Sequence, residues 1–172
     1  GSLQLAFGIS GTQASVNTNA ALAGLLLNRS GAFALTDGGG LLTLGAAGLR
    51  AMNPNPGGPL EYGVSARVAL AADQTWTVTN NAGAGATSLT VSGPVSDAAG
   101  PRALTKAGDG LLTLAGPNTY EGPTAVAPGG TLRVAHDLAL GTPDAGTGVP
   151  AGARLEIAGG VSVPEPLTLA GE

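Results

Sequence analysis

One histidine, eleven acidic residues and a scatter of hydroxyls are what this chain offers to chemistry. His136 is followed by Asp137, but a Ser/His/Asp nucleophile also needs a serine against the base, and no serine stands in a G-x-S-x-G setting. A zinc centre takes three or four nitrogen, sulfur or carboxylate ligands. The chain has no cysteine and no second histidine to supply them. The carboxylates Asp37, Asp73, Asp97, Asp109, Glu121, Asp137, Asp144, Glu156 and Glu165 fall singly along the sequence. Calcium binding and glycosidic chemistry both require such groups to converge. Only folding could bring distant ones together, with Asp109 and Asp137 as the example to check. Gly108-Asp109-Gly110 lacks the framing of a calcium nonapeptide, and Gly83-Ala84-Gly85 lacks the third glycine of a phosphate loop. Asn28-Arg29-Ser30 matches a glycosylation triplet, a pattern common by chance. Tyr62, Trp76 and Tyr120 could stack on a sugar if they shared an exposed face. Otherwise Tyr120 belongs at a structural corner, and Trp76 in the core or under a loop. His136 reads as a solvated turn residue. The expectation is a protein that is not an enzyme, with no catalytic residue, cofactor or metal site.

The elements that would position these residues are short and apolar. Hydrophobic residues make up 43% of the 172 residues and aromatics only 3%, so a core must be thin layers of Leu, Val and Ala. Thirty glycines and twelve prolines imply many turns between many short strands. The net charge is −4, Lys106 is the only lysine and the six arginines are dispersed. Nucleic acid is therefore not an expected partner, since it needs a basic stripe. The strongest apolar run, Ala20 to Leu27, is far below the ~18 residues of a membrane span and lacks the basic leader of a signal peptide. The lack of cysteine suits a chain exported unfolded.

In chain order, Leu3, Leu5, Phe7 and Ile9 alternate as a first strand, and Gly11 to Asn19 reads as a polar bend. Ala20 to Leu27 is either a rung strand or a short helix capping the N-terminal end. Ala32 to Leu35 and Leu42 to Leu44 are strands around a glycine turn. Three prolines between Asn53 and Pro59 make a loop protruding from the body. Val64, Ala66, Val68 and Leu70 form one strand, followed by strands at Trp76/Val78, Leu89/Val91 and Val95, with a polar turn from Asn80 to Thr87. Leu112-Thr113-Leu114, Thr124-Ala125-Val126 and Leu132-Arg133-Val134 alternate with period two. Gly141 to Gly152 is a loop, and Leu155/Ile157, Val161/Val163 and Leu167/Leu169 are three strands.

The phrase also repeats. Gly110-Leu111-Leu112-Thr113-Leu114 restates Gly40-Leu41-Leu42-Thr43-Leu44. Leu89, Leu112, Leu132 and Leu155 follow one another at a nearly even interval. Such a period marks a solenoid, whose unit cannot bury its apolar face alone but can on copies of itself. The stretch Gly108-Asp109-Gly110-Leu111-Leu112-Thr113-Leu114-Ala115-Gly116-Pro117-Asn118-Thr119-Tyr120-Glu121-Gly122-Pro123-Thr124 resembles the passenger-associated repeat of bacterial autotransporters. That repeat reads G-x-G-T-L-T-L-x-G-x-N-T-Y-x-G-x-T and ends in a G-T-L-x-V strand and A-L-G. The last two correspond to Gly130–Val134 and Ala139–Gly141. Leu111 and Pro123 depart from it. The resemblance runs from Val64 to Leu169.

The resemblance implies an all-β fold, a right-handed parallel β-helix in an extracellular, outer-membrane-associated passenger, and it carries no catalytic residue across. At roughly 20 to 23 residues per coil, seven or eight rungs are expected in one segment of a longer array spanning residues 1–172, with a body on the order of 35 Å. The implied function is a rigid stalk or adhesin scaffold, self-associating through open solenoid ends, as a fibre in one variant. Surface carbohydrate or protein ligands would bind its loops. The competing reading is a carbohydrate-binding or polysaccharide-degrading β-helix.

Overall fold

The structure, a computed structural model, describes residues 12–54, 58–80 and 85–170. The strand expected over Leu3 to Ile9 lies outside them, as do residues 55–57 of the proline loop and 81–84 of the polar turn. Every regular element among the described residues is a strand. The first eight are β1 (Gln13–Val16), β2 (Ala20–Asn28), β3 (Phe33–Asp37), β4 (Leu41–Met52), β5 (Leu60–Val64), β6 (Arg67–Leu70), β7 (Gln74–Thr79) and β8 (Thr87–Val91). The second eight are β9 (Val95–Asp97), β10 (Leu104–Ala107), β11 (Leu111–Leu114), β12 (Thr124–Val126), β13 (Thr131–Val134), β14 (Thr147–Val149), β15 (Arg154–Ile157) and β16 (Leu167–Leu169).

All pairings are parallel, and partners lie one coil apart in sequence. One sheet runs β1-β3-β5-β8-β11-β13-β15. The other contains β16-β14-β12-β10-β7-β4-β6-β9, with β2 paired to β4. The second sheet covers two faces because β4 turns a corner. Its Leu41–Leu44 half pairs with β6, and its Leu49–Met52 half pairs with β7. The corner is the Gly45-Ala46-Ala47-Gly48 stretch, matched in β2 by a register shift between Leu22 and Gly24. The result is a parallel β-solenoid of three faces and about six turns.

Alternation fills the interior. One column of inward side chains runs Ala14, Leu35, Val64, Val91, Leu114, Val134, Ile157. Its neighbour runs Phe33, Tyr62, Leu89, Leu112, Leu132, Leu155. Leu89, Leu112, Leu114, Leu132 and Val134 are fully buried. Each such side chain contributes about 1.5–3 kcal/mol by leaving water, and only its neighbours above and below make that burial available.

Several expectations are corrected. Of the two readings of Ala20 to Leu27 the rung strand holds and the helical cap does not: Ala20–Asn28 is a strand whose Leu22, Leu25 and Leu27 stack on β4. The polar bend contains β1, which pairs with β3 through Gln13 to Val16. Val64 to Leu70 is two strands, split at Ser65-Ala66 where the chain changes face. The Gly141–Gly152 loop contains β14, and Val161/Val163 form no strand. β10 was not foreseen. The coil count is lower than seven or eight because two coils are long. The steps from Phe33 to its partner Tyr62, and from Leu60 to its partner Thr87, both exceed the step from Leu89 to Leu112. Those coils carry residues 53–59 and 80–86, each stretch lying partly outside the described residues.

Candidate functional site

None of the three aromatic residues singled out lies on an exposed face. Trp76 and Tyr120 are fully buried and Tyr62 nearly so, so the sugar-stacking platform does not form. The Trp76 indole N–H donates to Gln74 Oε1 at 2.8 Å, and Gln74 Nε2 donates to the Leu44 carbonyl of the coil below at 2.5 Å. The Tyr62 hydroxyl accepts from the Arg29 backbone N–H (2.9 Å) and donates to the Met52 carbonyl (2.8 Å). The Tyr120 hydroxyl pairs with Thr124 Oγ1 at 2.7 Å. His136 sits in a turn, where its Nδ1 accepts from the Leu138 backbone N–H at 3.0 Å.

Four of the carboxylates are spent on the coil itself. Asp109 Oδ1 accepts from the Asn80 N–H (2.9 Å), Asp73 Oδ1 from the Ala103 N–H (3.0 Å) and Asp97 Oδ2 from the Glu121 N–H (2.7 Å). Asp137 Oδ1 accepts from the Ser162 N–H (2.9 Å). In every case acceptor and donor are 24 to 30 residues apart, one coil. A meeting of Asp109 with Asp137, the example to check, is not the use the fold makes of them. Asp109 is tied to the coil before it and Asp137 to the coil after it. Among the described residues no group of three or more His, Cys, Asp or Glu could hold a metal ion.

The centre of this arrangement is Asn118, which reading by residue type missed. It is 1% exposed. Its Oδ1 accepts from the Val95 N–H at 2.9 Å, and its Nδ2 donates to the Ala139 carbonyl at 2.5 Å. One side chain therefore joins three successive coils. The available signal was its place in the Asn-Thr-Tyr of the repeat, one coil after Val95 and one coil before Ala139. The repeat's glycines serve the same close stacking. Gly141 has φ +89°, and a Cβ there would stand 2.3 Å from the Tyr120 carbonyl oxygen.

Two buried ionisable groups were also missed. Lys106 lies in an inward row with Leu49, Trp76 and Val126, and is 1% exposed. Its Nζ donates to the Ala107 and Gly108 carbonyls, both at 2.7 Å. Burial lowers its pKa to about 8, partly opposed by the charge of Asp109. Glu165 is 7% exposed and its Oε1 accepts from the Thr147 hydroxyl. Burial pushes its carboxyl above the usual range, with the Thr147 bond acting against that shift. Burial likewise raises the Tyr120 phenol.

The fold and this ladder of inter-coil hydrogen bonds define a repeat-built β-solenoid. Residues 104–134, from β10 to the end of β13, match the family described as Passenger-associated-transport-repeat. The chain thus carries an autotransporter passenger repeat, with Asn118, Tyr120 and Thr124 inside the matched stretch. Neither a curated protein nor a solved structure matches the chain. No helix among the described residues is long and apolar enough to cross a membrane.

Proposed function

We propose that this chain is a rigid, non-catalytic segment of a passenger displayed on or released from a bacterial surface, acting by length and stiffness as a stalk or scaffold. The observation that carries this reading is the unbroken inter-coil register of the β1-to-β15 sheet, together with side chains such as Asn118 that lock neighbouring coils. Six intervals between stacked strands give a rod of roughly 29 Å. The carbohydrate reading loses its motive, because Tyr62, Trp76 and Tyr120 are inside the rod. Adhesion in this reading falls to exposed loops.

The test is surface presentation. A passenger carrying this segment is expressed in a Gram-negative host with an epitope placed N-terminal to the segment. Deleting residues 104–134 should reduce protease-accessible epitope at the cell surface, while the Asp109→Asn and His136→Ala variants should leave it unchanged. Full surface presentation without residues 104–134 would overturn the proposal. So would hydrolysis of a polysaccharide panel by the purified chain that the Asp109→Asn variant abolishes.

A further inference from the structure

One side face of the rod carries charges that its own chain leaves unpaired. On the face formed by β5, β8, β11, β13 and β15 the register that stacks the inward residues also stacks two outward rows. The first is Glu61, Ser88, Leu111, Thr131 and Arg154, one residue per strand. The second is Gly63, Thr90, Thr113, Arg133 and Glu156. Serine, threonine and glycine keep the middle of this face flat. In the second row Arg133 and Glu156 already pair with each other at 3.8 Å. In the first row Glu61 and Arg154 are exposed, and neither has an ion-pair partner among the described residues. They stand two strands to either side of Leu111, about 19 Å apart at the usual strand spacing. Leu111 is the residue that replaces the threonine of the repeat, and it puts an apolar side chain at the outward centre of the row.

We propose that this side face packs on the same face of a second copy, about a two-fold axis that runs along the strands over Leu111, so that the two rods lie antiparallel. Such an axis keeps each row on its own row and inverts the order of the strands. Leu111 then meets the partner's Leu111, and Ser88 meets the partner's Thr131. Glu61 meets the partner's Arg154, and Arg154 the partner's Glu61, making two symmetric ion pairs from the charges left over in each chain. The Arg133–Glu156 pair stays intact, and Glu156 stands over the partner's Gly63, which has no side chain to obstruct it. Sheets pack face to face about 10 Å apart, a gap that two leucines fill and a Glu–Arg pair spans. The other two-fold, along the rods, sets Leu111 against the partner's Thr113 and leaves Glu61 without a cation. Complementary charge therefore selects the antiparallel arrangement. Five strands, each four residues wide, offer roughly 300 Å² of flat area. A standard interface buries about 800 Å² per partner, so this contact is weak, with a Kd on the order of 100 µM. Because both copies use the same patch, the assembly closes at two. The contact gives the rod a lateral partner and uses no surface at either end of the chain.

Sedimentation equilibrium, charge reversal and cross-linking on the full chain test this. At about 500 µM most of the protein should sediment as a dimer. Glu61→Arg and Arg154→Glu should each weaken association at least about fivefold, and the double variant Glu61→Arg/Arg154→Glu should restore it. The chain has no cysteine, so Ser88→Cys and Thr131→Cys each supply a single thiol. A short bis-maleimide should link copies in a mixture of these two variants faster than in either variant alone, because Ser88 faces the partner's Thr131. A wild-type monomer at that concentration with an intact strand signal would overturn the dimer while leaving the rod reading in place. A dimer indifferent to both charge reversals, a double variant that stays monomeric, Ser88→Cys linking to itself as fast as to Thr131→Cys, or assemblies growing beyond two would also overturn it.

Discussion

Replacing Asn118 by alanine tests the coil-to-coil ladder at its most heavily used residue. Val95 and Ala139 are fully buried, so the substitution strands one amide N–H and one carbonyl away from water. Each stranded group costs about 1–3 kcal/mol, or about 2–6 kcal/mol for the pair. A water entering the vacated carboxamide space would satisfy part of this, which places the expected loss at about 3 kcal/mol. For a domain of this length that lowers the melting temperature by about 6–12 °C. Guanidinium unfolding followed by circular dichroism gives the free energy, and hydrogen exchange at the Val95 amide gives its location. Ser92→Ala, on an exposed position one coil-corner earlier, serves as control and should stay within about 0.5 kcal/mol. Asn118→Ala matching that control, with the Val95 amide still protected, would refute the idea that this side chain holds three coils together.

Four further outcomes are expected. Gly141→Ala should destabilise by at least about 2 kcal/mol, since it combines positive φ with a Cβ against the Tyr120 carbonyl. Gly129→Ala, at φ +78° with open space around it, should cost only about 1 kcal/mol in the same unfolding assay. Lys106 gives up its proton near 8 in the folded chain and near 10.5 when unfolded, so stability should rise as pH climbs between those values; Lys106→Met should flatten that part of the pH profile. Glu165 holds its proton in the folded chain above the ordinary value of 4.5, so stability should fall as pH rises through and beyond that value, and Glu165→Gln should remove the dependence.

Where the sequence alternated cleanly and ended at a glycine, the strand was legible. β11 and β13 are the Leu-Thr-Leu and Leu-Arg-Val runs, placed as read. β14 was hidden because its Thr-Gly-Val has an inward threonine and a glycine at its centre, which look like loop chemistry. β10 was hidden because its second inward residue is the lysine, which runs its aliphatic stem along the core and turns its amine to two carbonyls. The break between β5 and β6 could not be seen at all. Val64, Ala66, Val68 and Leu70 keep their phase around the corner, and all four are buried, so periodicity continues while the hydrogen-bond partner changes. Val161 and Val163 show the converse, since alternation without a neighbouring edge in register makes no strand. The candidate site had the same character. Trp76 could be read as a core or under-loop residue and Tyr120 as a structural corner residue, and both are buried. The use of Asp73, Asp97, Asp109 and Asp137 could not, because each partner is defined only once the coil length is known.

That use follows from hydrogen-bond accounting on the face that loses its strands. The face shared by β6 and β9 has no strand above β9, yet the chain still crosses it at Ala115–Tyr120 and again at Ala135–Leu140. A backbone group buried there costs as much if left unpaired as one in a sheet. Thr119 N–H still reaches the Val95 carbonyl (2.8 Å), and Asn118 N–H reaches the Leu138 carbonyl (3.0 Å), so some ladder bonds survive. The Val95 N–H and the Ala139 carbonyl lack such partners, and the Asn118 carboxamide supplies both with one donor and one acceptor. Aspartate could offer only the acceptor and leucine neither, so the geometry requires an amide at this position. The Asn-Thr-Tyr of the repeat therefore does on an irregular face what backbone pairing does on the other two. This supports reading the motif as the means by which the rod stays a rod, with the Asn118 carboxamide committed to the coils on either side.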